Sequence, residues 1–180
     1  MSASPDPLDG VLIGGREKRD IVIVDHDPRW VQRYEHERSR IVAALGDRVL
    51  ALEHIGSTSV PGLAAKPIID IDLSVADVED EDAFVPDLVA AGYVLRVREP
   101  GHRMLRTPEK YVHLHVCDVG SEWEQRHLVF RDWLRTHPDD RDRYEAVKRE
   151  LAARDWSDMN DYADAKSGVV ADIMARATAP

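Results

Sequence analysis

Glu53-His54-Ile55-Gly56-Ser57-Thr58-Ser59-Val60-Pro61-Gly62-Leu63-Ala64-Ala65-Lys66-Pro67-Ile68-Ile69-Asp70-Ile71-Asp72 is the stretch from which the rest of the chain is read. A strand ends at Ile55, small residues make a turn, and an apolar run resumes carrying two carboxylates one residue apart. Side chains i and i+2 of a strand share a face, so Asp70 and Asp72 project together while Ile69, Ile71 and Leu73 fill the other side. Carboxylates held about 5–7 Å apart on one face repel each other, and a divalent cation relieves that repulsion. Hard oxygen donors suit magnesium or manganese. Gly56 leaves the backbone bare, so that with Ser57 and Thr58 it offers N–H groups and hydroxyls to a phosphate.

A Gly-Ser turn followed by an Asp-x-Asp strand resembles the signature of the nucleotidyltransferase superfamily. The longer string E-H-I-G-S-T-S-V-P-G-L-A-A-K-P-I-I-D-I at 53–71, with H-L-H-V at 113–116, resembles the GrpB family more closely. Asp27-Pro28-Arg29-Trp30, His127 to Leu134 and Ala165-Lys166-Ser167 extend the likeness over roughly residues 21–177. The resemblance implies an α+β domain with a small mixed β-sheet flanked by helices and a helical C-terminal part. It also implies metal-dependent nucleotidyl transfer, and a role for Lys66 at a phosphate. In nucleotidyltransferases the third metal carboxylate usually lies on a later strand, where this chain has His113-Leu114-His115. GrpB-like segments also resemble domains attached to a coenzyme A biosynthetic kinase, which implies an accessory link to that enzyme.

With 180 residues, 43% of them hydrophobic, one domain with a real core is expected. The formal charge of −10, from 34 acids against 24 bases, argues against a general nucleic-acid binder but leaves room for a local basic pocket. Cys117 is the single cysteine, so an intramolecular disulfide and a thiolate metal cluster are excluded. The first residues carry no basic and apolar leader, and no apolar run reaches membrane length, so cytoplasm is the expected location. No Gly-x-Ser-x-Gly elbow, Walker A loop or dinucleotide fingerprint is present.

Residues 1–19, with scattered prolines and glycines, read as a flexible N-terminal tail, and 20–178 as the single domain. Ile21 to Val24 reads as a short strand. Asp27 and Pro28 open a helix in which Val31, Tyr34, Arg38, Ile41, Val42 and Leu45 recur at helical spacing up to Gly46. Val49–Ile55 and Pro67–Val75 read as strands, and the acidic run from Asp77 to Asp87 as the start of a helix closing at Gly92. Tyr93–Arg98, His102–Thr107 and Tyr111–Val119 read as successive antiparallel strands. Ser121 and Glu124 predict a capping box, and Trp123, His127, Phe130 and Leu134 a helix face that ends before Pro138. Pro138 opens a further helix with Tyr144, Val147 and Leu151. A last helix from about Asp161 buries Tyr162, Ala165, Val169, Val170 and Ile173.

His113 and His115 share one strand face as Asp70 and Asp72 do, and if the two strands are neighbours the four groups converge. Imidazole in place of a carboxylate lowers the site's negative charge and moves preference toward manganese, zinc or other transition metals. The alternative is a pair of hydrogen-bonded structural histidines. Likewise Asp70 and Asp72 are either metal ligands or a polar strand edge, and Ser57, Thr58 and Ser59 either bind phosphate or satisfy their own turn. Lys66 and Lys166 are candidate anion contacts that otherwise reach solvent. Arg131 and Asp132 either pair with each other or line the pocket. The expected activity is transfer of a nucleotidyl group from a nucleoside triphosphate to a small acceptor. Asp70, Asp72 and His115 are its catalytic residues, and Asp70, Asp72, His113 and His115 its metal set. A metal-dependent phosphoesterase and a non-catalytic nucleotide- or partner-binding module are the alternatives.

Overall fold

The computed structural model describes residues 8, 10–18 and 20–179. Asp27 Oδ1 accepts the Arg29 N–H at 2.9 Å and so opens α1 (Arg29–Leu45). Its buried stripe is Trp30, Tyr34, Glu37, Ile41 and Leu45. Val31, Arg38 and Val42, expected on that stripe, are exposed. The stripe turns instead about Glu37, whose carboxylate is buried because Arg40 and the Tyr93 hydroxyl both donate to it.

The sheet contains β1 (Ala51–Ile55), β2 (Ile69–Val75), β3 (Val94–Glu99), β4 (His102–Arg106) and β5 (Val112–Asp118), ordered β1-β2-β5-β4-β3. β2 and β5 are parallel and every other pair is antiparallel, the mixed sheet of the expected α+β class. The connection from β2 to β5 passes through α2 (Val85–Ala90) and the β3–β4 hairpin. Ile69, Ile71, Leu73, Leu114, Val116 and Leu105 turn toward α1 and α2 and form the main core with Trp30, Ile41, Phe84 and Leu88. The opposite face carries Asp70, Asp72, His113 and His115 and looks toward the C-terminal helices. There α3 (Glu122–Thr136), α4 (Pro138–Ala152), α5 (Met159–Ala165) and α6 (Ser167–Ala177) surround a second core. It is built from Val60, Leu63, Leu134, Tyr144, Val169 and Ile173. The polar sheet face lies between these two apolar clusters, and the cavity described below opens there.

Several local expectations change. Only Val24 of the expected 21–24 strand pairs, in an isolated bridge with Ala65 closed by two 2.9 Å hydrogen bonds. The acidic run forms turns and a short 3-10 segment (Glu81–Ala83) before the six-residue α2. Glu79 and Glu81 face arginines there: Arg103 donates to both, and Arg98 to Glu81 at 2.6 Å. Opposite charge from the hairpin, rather than a helix dipole, accounts for these acids. Half of the capping box forms: Ser121 Oγ accepts the Glu124 N–H at 3.3 Å. Glu124 itself takes the Gly120 N–H and the Ser74 hydroxyl, at 2.6 and 2.5 Å. The expected last helix is two helices, because Asp158 caps α5 and the chain breaks at Lys166, leaving Ala165 exposed.

Residues expected in the N-terminal tail lie, where they are described, against the sheet. Arg98 N–H donates to Val11 O at 3.0 Å and Ile13 N–H to Arg96 O at 2.8 Å, so this segment covers the β3 edge. Glu17 then reaches Arg106 and Lys110. Among the described residues no helix is long and apolar enough to cross a membrane.

Candidate metal and anion site

Register brings the two charged strand faces together. β2 pairs with β5 so that Asp70 is opposite His113 and Asp72 opposite His115, all four on the face away from α1. His113 Nδ1 lies 3.4 Å and His115 Nε2 3.9 Å from Asp70 Oδ1. One donor atom from each of the three lies within 4.8 Å of the others, the spacing of a group able to share one cation. Burial pushes the Asp70 carboxyl up, but the His113 and His115 rings beside it outweigh that and hold the group well below the usual carboxylate range.

Asp72 stands apart from this group. Its side chain is 1% exposed, and His127 Nδ1 lies 2.8 Å from Oδ2 and 3.1 Å from Oδ1. Buried carboxylates require donors, and α3 supplies this one by laying His127 over β2. In the sequence His127 stands on a helix face with Trp123, Phe130 and Leu134 and in a stretch resembling the GrpB family, but nothing there marks it as a partner of Asp72. The spacing that put it on that face also aims it at the sheet, where Asp72 is the polar neighbour.

The Gly-Ser turn folds against Asp70. Gly56 has φ 67° and ψ −174°, a conformation open essentially only to glycine, and a Cβ there would meet Asp70 Oδ2 at 2.6 Å. Gly56→Ala therefore both strains the turn and displaces the Asp70 carboxylate. The expected result is about 2–4 kcal/mol lower stability in urea denaturation, from the backbone penalty plus the clash. A loss below about 0.5 kcal/mol would show that the turn adapts.

The hydroxyls of this turn divide. Thr58 is buried, donating to Ile68 O at 3.1 Å and meeting His54 Nε2 at 3.0 Å, and Ser59 donates to Gly56 O at 2.6 Å. These two serve the turn itself. Burial lowers the His54 pKa to about 4, so this ring is neutral where it bonds to Thr58 and stacks on Tyr34. Ser57 alone turns outward, where it accepts from Lys148 Nζ at 2.9 Å. Lys148 is 3% exposed, donates also to Ala64 O, and is held at about 7 instead of 10.5 by burial, with Lys166 and Lys66 adding to the depression. No sequence motif marked it, although its position four residues after Tyr144 puts it on the buried side of α4. Lys66 and Lys166, both expected at an anion, lie with Nζ 5.1 and 4.6 Å from the centre of the Tyr162 ring. Burial lowers the Lys166 pKa, with Asp70 opposing. The Tyr162 hydroxyl is buried without a hydrogen-bond partner among the described residues.

Asp70, His113, His115, His127, Ser57 and the three lysines line one cavity of 530 Å³ between the sheet and α3–α6. Six cationic side chains line it, Lys66, Lys148, Lys166, Arg96, Arg106 and Arg126, against the carboxylates of Glu17 and Asp70. In a chain of net charge −10 that local excess of positive groups is what an anionic ligand would need. Glu17 answers part of it: Arg106 donates to both its oxygens, at 2.9 and 2.7 Å, and the guanidinium holds its pKa at about 2. Glu53 and Arg131 lie outside this group as an ion pair at 2.7 Å, with Asp132 also on Arg131 at 2.8 Å.

A solved relative shares this architecture, and further relatives match in sequence. The crystal structure of the conserved protein GrpB from Enterococcus faecalis superposes with a TM-score of 0.77 at 33% identity, covering 87% of this chain and 96% of that one. A UPF0157 protein from Streptomyces coelicolor is 53% identical over 175 residues, 97% of this chain and 94% of its own length. A dephospho-CoA kinase from Mycolicibacterium paratuberculosis is 32% identical over 86% of this chain, which spans only 45% of that enzyme. The model of the GrpB protein family matches residues 20–176, nearly the whole described chain, and the chain belongs to that family.

Proposed function

We propose that this protein is a metal-dependent nucleotidyltransferase, moving a nucleotidyl group from a nucleoside triphosphate to a small acceptor. The observation that carries the reading is the meeting, in one cavity, of a three-residue cation group and a cationic lining beside a Gly-Ser turn. Asp70, His113 and His115 would hold the divalent cation, magnesium, manganese or zinc. A cation held there would supply Lewis-acid stabilisation of the negative charge on the phosphoryl oxygens in the transition state. Lys66, Lys148, Lys166 and the Ser57 hydroxyl take the phosphate tail, with Gly56 giving it room to approach the backbone. Thr58 supports the turn.

The base in this reading is His127. A carboxylate only accepts, so the contact with Asp72 places a proton on His127 Nδ1 and leaves Nε2 as the lone pair on a cavity-lining ring. Asp72 thus orients a base that takes the proton of an acceptor hydroxyl or amine. The same Asp and His chemistry suits a metal-dependent phosphoesterase, which is the second reading. Likeness to part of a dephospho-CoA kinase supports a nucleotide-like phosphate ligand and a link to coenzyme A synthesis.

The test incubates a nucleoside triphosphate panel with each metal, with and without a mixture of small hydroxyl and amine acceptors, and follows products by phosphorus NMR. Pyrophosphate release that requires an acceptor is the expected result. Free phosphate or nucleoside monophosphate without acceptor moves the assignment to a phosphoesterase. No turnover and no calorimetric binding with any metal would overturn both enzymatic readings in favour of a binding module.

A further inference from the structure

His115 is held from behind by groups that no part of the catalytic proposal uses. His102 Nε2 lies 3.0 Å from His115 Nδ1, and His102 Nδ1 lies 2.6 Å from Glu99 Oε1. The His102 ring is 5% exposed and stacks on Trp123, with centroids 3.8 Å apart and planes 21° apart. Glu99 only accepts, so the proton of a neutral His102 sits on Nδ1 and its Nε2 is an acceptor. The contact between the two rings holds one proton, which must then be on His115 Nδ1. His115 Nε2 is left as a bare lone pair. It faces Asp70 Oδ1 at 3.9 Å, too far for a hydrogen bond but within the three-residue group. The opposite arrangement would leave a buried imidazolium at His102 and an N–H on His115 without an acceptor in reach at Asp70.

We propose that Glu99, His102 and Trp123 are positioning residues that present His115 Nε2 to a transition-metal dication, so that the site selects zinc, cobalt or manganese over magnesium. The inference rests on the reading of Asp70, His113 and His115 as the metal group. Two imidazole nitrogens and one carboxylate oxygen match metals that accept nitrogen donors, whereas magnesium takes oxygen and gives up its waters reluctantly. A second partner on the far ring nitrogen fixes tautomer and orientation and makes the ligand more basic. Stacking on Trp123 holds the His102 plane in place.

The experiment titrates metal-free protein, with no nucleotide, using cobalt(II) followed by its visible absorption. Zinc competition and calorimetric titrations of manganese and magnesium accompany it, for wild type, His102→Leu, His102→Gln and Glu99→Ala. Wild type is expected to bind cobalt and zinc at least about 100-fold more tightly than magnesium. His102→Leu should lose about 10- to 100-fold in cobalt affinity and change the absorption envelope. His102→Gln, whose carbonyl can accept from His115 Nδ1–H, should recover most of both. Glu99→Ala, at a partly exposed position, should weaken cobalt binding and carries the test if His102→Leu fails to fold. Unchanged affinity and spectrum in folded His102→Leu, or in Glu99→Ala if the former does not fold, would overturn the positioning role. Magnesium binding equal to that of cobalt would overturn the selectivity. Nucleotidyl transfer with magnesium and no cobalt or zinc binding would sink this inference and leave the proposed activity standing. The selective cobalt site without turnover would do the reverse.

Discussion

Asp70→Asn is expected to lower zinc or manganese affinity by at least about 100-fold, whereas Asp72→Asn lowers it by less than about 5-fold, the loss of one anionic ligand being worth about 3 kcal/mol. The difference follows from geometry. Asp70 Oδ1 is the oxygen within reach of both His113 and His115, while both oxygens of Asp72 face His127. An amide at position 70 keeps the shape and removes the charge that draws the cation. At position 72 the Asn carbonyl still accepts from His127 Nδ1–H, so the loss is one charge-assisted hydrogen bond, about 1–2 kcal/mol of fold stability. Isothermal titration with each metal, paired with urea denaturation, separates the two effects. Equal loss of metal affinity in both variants would mean that Asp72 leaves His127 to join the cation. Full metal affinity in Asp70→Asn would remove the metal centre from this face of the sheet.

The second large effect belongs to Lys148. Burial, reinforced by Lys166 and Lys66 and opposed by Glu145, lowers its pKa to about 7 from 10.5. The unfolded chain keeps this proton until well above pH 10. Below pH 7 both states are protonated, and the folded state bears the full cost of a buried ammonium, of order 4 kcal/mol. Between pH 7 and 10.5 the unfolded state binds more protons than the folded one, so this contribution makes stability rise with pH. Lys148→Met keeps a long adaptable side chain and removes the charge. It leaves Ser57 Oγ and Ala64 O without this donor, which costs back about 1–2 kcal/mol. The expected net result is a variant about 2 kcal/mol more stable at pH 7 whose stability no longer climbs between pH 7 and 10.

The same variant is expected to bind inorganic triphosphate about 10- to 100-fold more weakly, since a hydrogen bond from a charged donor contributes about 1.5–3 kcal/mol. Phosphate near Lys148 raises its pKa, so wild type takes up protons on binding at pH 7.5 to 8 and the variant does not. Urea denaturation across pH, and calorimetry in buffers of different ionisation enthalpy, read both quantities. A less stable variant with an unchanged pH slope and unchanged triphosphate affinity would show that Lys148 is an ordinary structural lysine.

Much of the candidate site can be read before any fold is known, because it depends on periods of two and on single-residue chemistry. Asp70 with Asp72, and His113 with His115, are same-face pairs in any strand, and Gly56 is the residue a tight approach to a neighbouring group requires. The C-terminal helices are likewise legible from Pro138 and the spacing of their apolar residues. Where the reading departs from the structure, groups distant in sequence decide the outcome. Val31 and Val42 lose the α1 stripe to Trp30 and Glu37 because Tyr93 provides a buried partner for the carboxylate. Glu79 and Glu81 leave the expected helix start because Arg98 and Arg103 face them across the hairpin. Glu124 leaves its capping box for Ser74, 50 residues away.

By itself, then, the sequence determined the strand faces, the Gly-Ser turn, the polar character of one side of the sheet and the helices that cover it. These are local properties, set by backbone period, propensity and the lack of a side chain at glycine. Tertiary structure alone decided that β2 and β5 are parallel neighbours in the register that sets Asp70 beside both histidines. It also decided that Asp72 belongs to His127, that Lys148 is buried against Ser57, and that His102 stands behind His115. Each of those pairings forms because a buried polar group must find its partner wherever packing brings one within reach, and no local spacing encodes that choice.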